Sequence, residues 1–98
     1  MSYRVIPSNT FLKQISNLDE KSIRIIKEKI ELIKENPFRF KKLNSPIFSR
    51  VFGVKLNISS NASRLIYVFL EPNVVLVCLL ERKKDYKDLD KYLKKLKS

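Results

Sequence analysis

The spacing of apolar residues changes period once along this chain, near Phe48, and that change restricts the fold more than any motif does. Before it, Ile23, Ile26, Ile30 and Ile33 recur at intervals of three, four and three, which places all four on one face of a helix. After it, Phe52, Val54, Leu56 and Ile58 alternate with Val51, Gly53, Lys55 and Asn57, the pattern of a strand with one covered face. Two further runs follow, Arg64 to Leu70 and Val74 to Leu80. Their β-branched and aromatic residues suit a pleated surface. Ser59-Ser60-Asn61-Ala62 and Glu71-Pro72-Asn73 separate the runs, so the three strands read as an antiparallel meander.

The flanks complete the plan. Tyr3 to Ile6 is a short, partly apolar strand stopped by Pro7. Ser8 or Asn9 caps a first helix presenting Phe11, Leu12 and Ile15. Asn17, with Glu20 three residues later, has the form of a capping box and starts the second helix. Pro37 ends that helix by disfavouring helical geometry at Asn36. In the tail, Asp85 is the expected N-cap of a last helix with Leu89, Tyr92, Leu93 and Leu96 on one face. Lys84, Lys87, Lys91, Lys94 and Lys95 fall on its opposite face. The order is β-α-α-β-β-β-α. This is an α+β fold of one domain spanning 1–98, in which a helical hairpin packs on a four-stranded, mainly antiparallel sheet followed by a C-terminal helix.

Charge narrows the function. Lys and Arg number 21 against 10 Asp and Glu, a formal net charge of +11. Solubility alone asks for a net charge of about 2–8 in a small domain. A polyanionic partner is therefore expected, with nucleic acid ahead of acidic protein or a membrane surface. The bland reading of the lysine stripe on the last helix is a solvated surface. No long apolar stretch opens the chain, so neither a signal peptide nor a membrane span is expected, and the expected location is the cytoplasm. Cys78 is the single cysteine, lies within an apolar run and reads as a small buried hydrophobe.

Residue types exclude much chemistry. Histidine is absent, so a Ser-His-Asp or Cys-His arrangement cannot be assembled. No histidine and one cysteine leave a zinc site short of its usual ligands. The one glycine, Gly53, sits in a strand pattern and makes no phosphate loop. Asp19, Glu20, Glu28, Glu31 and Glu35 read as helix surface, which leaves no two-metal centre; no cofactor and no metal are expected. What remains is cationic: Lys55, Arg64 opening a strand, and Arg82-Lys83-Lys84 following the last strand, with Tyr86 just beyond to stack on a base. Strand ends from separate segments of a meander converge, so these residues are candidates for one patch. Taken singly each has a bland alternative, such as Arg64 pairing with Glu81 or Glu71.

The segments Lys42-Leu43, Phe52-Gly53-Val54-Lys55-Leu56 and Ser63-Arg64-Leu65-Ile66-Tyr67-Val68, then Arg82-Lys83-Lys84-Asp85-Tyr86, follow one another as in the RelE/ParE superfamily of bacterial and archaeal toxins, which the chain resembles over nearly its whole length. The Arg64-Leu65-Ile66-Tyr67 element and the Arg82 to Tyr86 spacing are the informative matches. The resemblance implies a RelE-like fold and an mRNA interferase, an endoribonuclease that needs no metal. It implies a lysine acting on the RNA 2′-hydroxyl at Lys55 and an arginine on the scissile phosphate at Arg64. Departure of the 5′-oxygen falls to Arg82, or Lys83 one place on, and base stacking to Tyr86. Lys42, Arg50, Lys84, Lys87 and Lys91 are the further RNA-binding candidates. The chain departs from the family pattern where Gly53 replaces a second strand lysine of some members and Glu81 stands where many have histidine.

The implied partners are mRNA, including mRNA on the ribosome, and a small acidic RelB-like antitoxin that binds through an amphipathic helix. That helix would either cover Arg64 and Lys55 or displace the C-terminal helix. Two alternatives belong to other classes: a ParE-like toxin that binds DNA gyrase without cutting nucleic acid, and a basic RNA-binding module with no activity.

Overall fold

A computed structural model describes residues 3–83 and 88–97. Along the chain run β1 (Arg4–Pro7), α1 (Asn9–Ile15), α2 (Glu20–Glu35), β2 (Lys41–Leu43), β3 (Val51–Ile58), β4 (Asn61–Leu70), β5 (Asn73–Glu81) and α3 (Leu89–Lys97). The strands form one sheet in the order β1-β5-β4-β3-β2, antiparallel except where β1 pairs parallel with β5. The expected architecture is present with one more strand than expected. β2 has no strand signature in the sequence, because two of its three residues are lysines and, among the described residues, it pairs with β3 alone.

Local chemistry sets the helix ends. Ser8 caps α1: its hydroxyl accepts from the Phe11 N–H and donates to the carbonyl of Val77. α2 is capped by Asp19, not Asn17, and the Asp19 carboxylate accepts from the Ser22 N–H. That hydrogen bonding with Ser22 holds the Asp19 carboxyl below its ordinary pKa. The later start leaves Leu18 outside the helix, where it packs on the core. Asn36 is extended just before Pro37, as the proline requires.

The two faces of the sheet are covered by different elements. Phe52, Val54, Leu56 and Ile58 of β3 join Leu65, Tyr67 and Phe69 of β4 under the helical hairpin, with Phe11, Ile26 and Ile33 buried against them. Each such side chain contributes about 1.5–3 kcal/mol of burial. Val51, Ile66, Val68, Val77 and Cys78 meet Leu89 and Leu93 of α3 on the other face. β3 is therefore covered on both faces at its Val51 end and only there. β4, the central strand, is buried from Ser63 to Phe69 for the same reason. Burial raises the Cys78 thiol pKa to about 12, with the nearby Asp88 charge adding to it, so the sulfur behaves as the expected small hydrophobe.

Two details of the sheet bear on function. The β3–β4 turn is only Ser59-Ser60, both at positive φ (49° and 67°), so β4 starts at Asn61, earlier than the expected Arg64. β5 carries a bulge: Ile66 faces Cys78, but its neighbour Tyr67 faces Leu76, which leaves Val77 as the extra residue. β1 pairs with β5 only as far as Leu76. Past that point α1 takes over the vacated edge of β5. The Gln14 side chain donates to the Leu79 carbonyl at 2.9 Å and accepts from the Leu79 N–H at 2.6 Å.

Candidate nucleic-acid interface

β3 and β4 place Lys55 directly opposite Arg64. Opposed side chains on one face of an antiparallel pair stand about 5 Å apart at their Cβ atoms. By the pleat, both lie on the α3 face of the sheet, in line with Gly53 and Ile66. On β4 the apolar bed of α3 ends at Ile66, and Arg64 is the next position on that face, opposite Leu80 at the rim of the bed. Like charges opposed on a sheet repel; an anion between them removes that cost.

Arg64 is 9% exposed, so most of its side chain is backed into the sheet. Its path is visible at Gly53. A Cβ built there would meet the Arg64 Cδ at 3.2 Å, Leu43 Cδ1 at 3.2 Å and Ile66 Cδ1 at 3.4 Å. The arginine stem thus crosses the glycine backbone towards the outer edge of β3. Gly53 and the course of Arg64 are one feature, since a side chain at 53 would contest the same space. A guanidinium held in a partly dehydrated setting interacts more strongly with a phosphate than one in open water.

The bulge decides where Arg82 goes. Val74 and Leu76 face the helical hairpin, and unbroken alternation would send residue 82 to that face too. The extra residue at Val77 reverses the parity, so that Leu79 packs with the hairpin core and Leu80 with the α3 core. Arg82, whose N–H continues the ladder by donating to the Ala62 carbonyl, shares the parity of Leu80 and of Arg64 across from it. Glu81 pairs with Ser63 and has the opposite parity, and Glu71 lies beyond the far end of β4. No signal in the uninterrupted apolar run from Val74 to Leu80 marks the bulge.

The other expected residues distribute differently. Lys83 is exposed just after β5. Lys42 pairs with Phe52, a hairpin-face residue, and so belongs to the face away from Arg64; its neighbour Lys41 pairs with Gly53 on the Arg64 face. Arg50 packs its guanidinium over the Phe69 ring at 5.5 Å, also on the hairpin face and about 17 Å along β3 from Lys55. Lys91 is exposed on α3, as are Lys94 and Lys95. Tyr86, Lys84, Lys87 and the expected cap Asp85 lie outside the described residues. Among the described residues no three His, Cys, Asp or Glu side chains group closely enough to hold a metal ion, and no helix is long and apolar enough to cross a membrane.

No family model matches the sequence, and no curated protein sequence matches it. Solved structures do. A doubly substituted E. coli RelE toxin in the free state superposes with a TM-score of 0.76 at 20% identity, over 98% of each chain. The intact E. coli RelBE toxin–antitoxin complex gives 0.66 at 18% identity, covering 85% of this chain and 100% of that one. An archaeal RelE–RelB complex from Pyrococcus horikoshii gives 0.56 at 20% identity, covering 86% and 99%. The chain has the RelE-like fold.

Proposed function

We propose that this chain is the toxin of a toxin–antitoxin pair and an endoribonuclease that cleaves mRNA without a metal. The observation that carries the reading is the opposition of Lys55 and Arg64 on adjacent strands, with Arg82 turned to the same face by the bulge. The RelE-like fold supports it, as does a net charge of +11.

The step is an in-line transesterification. The 2′-oxygen attacks the adjacent phosphorus, the bond from phosphorus to the 5′-oxygen breaks, and a 2′,3′-cyclic phosphate (or its 3′-phosphate hydrolysis product) and a 5′-hydroxyl remain. Lys55 acts on the 2′-hydroxyl, whose proton leaves as the bond forms. Arg64 holds the non-bridging oxygens, where negative charge grows in the phosphorane. Arg82 or Lys83 assists the departing 5′-oxygen as it gains its proton, and Tyr86 stacks on a base. With no histidine to serve as a matched acid or base, stabilising the developing charge supplies most of the acceleration.

The partner is a small acidic antitoxin whose amphipathic helix covers Lys55 and Arg64 or displaces α3. α3 is held by a short apolar face in which Leu89 and Leu93 alone are fully buried, so a longer apolar helix competes for the same bed. Opposite net charge speeds the encounter. One assay tests both halves. Purified chain incubated with RNA in excess EDTA should leave 5′-hydroxyl ends, and adding the acidic protein encoded beside it should stop the cleavage. Loss of cleavage in EDTA, or 5′-phosphate products, would refute the cationic mechanism; undiminished cleavage with that protein present would refute the pairing.

A further inference from the structure

β2 reaches only to Gly53, so among the described residues the outer edge of β3 from Val54 to Ile58 carries no neighbouring strand. A trough of about 350 Å³ opens there, lined by Lys29 of α2, Arg39 and Phe40 of the α2–β2 connection, Lys41 of β2, Lys55 and Arg64. Gly53 and Val54 complete the lining; five of its eight residues are cationic, and none carries a carboxylate. The trough is continuous with the Lys55–Arg64 pair, because the Arg64 stem crosses Gly53 towards it. The register of β2 on β3 puts Lys41 on the Arg64 face, two residues along and two strands across, about 12 Å between Cα atoms. Long side chains from both ends of that span can hold successive groups of one extended ligand.

Arg39 adds orientation to charge. Its guanidinium lies over the Phe40 ring at 5.6 Å, and Phe40 itself packs on the hairpin core. A cation–π contact of this kind restrains the side chain while leaving a guanidinium's several N–H donors available to a phosphate.

We propose that this trough is a second phosphate subsite, taking the phosphodiester next along a single RNA strand from the one at Arg64. The inference rests on the RNA-cleaving reading and extends it. A nucleotide bridged between Arg64 and the Lys41–Arg39 pair is fixed at two phosphates instead of one. That restricts rotation about the reacting linkage, a restriction the in-line attack requires. Lys41 also supplies a strand cation beside Gly53, where the chain has no side chain of its own.

The test uses the full chain and a short single-stranded RNA whose sugars are 2′-O-methylated, so that it binds but cannot be cut. Its phosphates are replaced one at a time by neutral methylphosphonates, and binding is followed by fluorescence anisotropy. Arg39 and Lys41 are both exposed, so the double variant Arg39→Ala/Lys41→Ala should fold. It should bind the fully charged strand about tenfold more weakly, with a salt dependence of log K shallower by about 0.7 for each phosphate no longer neutralised. That weakening should shrink to within about twofold when one phosphate flanking the central linkage is already neutral. Lys13→Ala, on exposed α1 surface, should show no such dependence. A weakening that is the same whichever phosphate is neutral would overturn the subsite and leave the RNA reading standing. Failure of the unsubstituted chain to bind the strand at all would overturn both.

Discussion

Arg64→Ala should slow RNA cleavage by about 10²–10³, the effect of removing one preorganised donor from a developing oxyanion. The size follows from where the residue sits. It occupies the central strand, is 9% exposed, and is directed by its own stem across Gly53, so its guanidinium is placed before substrate arrives. Neighbouring lysines cannot stand in for it, because they lack the planar pair of donors that matches two phosphate oxygens. Arg64→Lys keeps the charge and loses the fork, and should recover only part of the rate. Circular dichroism and thermal melting must show that both variants fold, since the position is buried. A folded Arg64→Ala protein that cleaves at the unsubstituted rate would remove Arg64 from the site.

Gln14→Ala should lower stability by about 2–3 kcal/mol, through an uncharged residue that holds the end of β5. Gln14 gives β5 the two hydrogen bonds that a neighbouring strand would otherwise supply at Leu79. Alanine leaves both backbone groups to whatever water reaches a half-buried position. For a domain of this size the melting temperature should fall by roughly 10–20 °C. Gln14→Glu retains the acceptor for the Leu79 N–H but presents an oxygen to the Leu79 carbonyl, and should melt no higher than the unsubstituted chain. Because Leu79 lies three residues before Arg82, the alanine variant should also lose activity below its melting point as the end of β5 frays. A melting temperature within about 2 °C of the unsubstituted chain would show that water replaces the amide without cost.

The elements are legible in the amino-acid pattern where one face of each is dry. The isoleucine spacing of α2, the alternation of β3 from Val54 to Ile58 and the leucine face of α3 each record a single buried surface, and each element lies where its pattern places it. Legibility fails where burial is two-sided or absent. Val74 to Leu80 is apolar at every position because α3 and the helical hairpin cover both faces of β5, so the run carries no trace of the bulge at Val77. β2 is an edge strand of two lysines and a leucine, defined by pairing alone. The cap of α2 falls at Asp19 instead of Asn17 because either residue can cap, and packing of Leu18 on the core settles the choice.

The same limits apply to the site. Lys55 and Arg64 are readable as candidates from residue type and strand order, but their opposition follows from a turn of two residues where the sequence suggests four. Arg82 reaches their face only through a bulge that the sequence hides. The choice between Lys41 and Lys42 depends on the register of a strand that has no sequence signature, and that register puts Lys41 on the Arg64 face.

If the cations around Arg64 cut RNA, mapping 5′ ends across cellular RNA after brief expression of the chain is the most direct way to see it. New 5′-hydroxyl ends should appear within coding regions as growth stops, and should be absent when Arg64→Ala is expressed to the same level. Growth arrest with no new RNA ends would contradict RNA cleavage and point to a toxin that acts by binding, as a gyrase-directed one does.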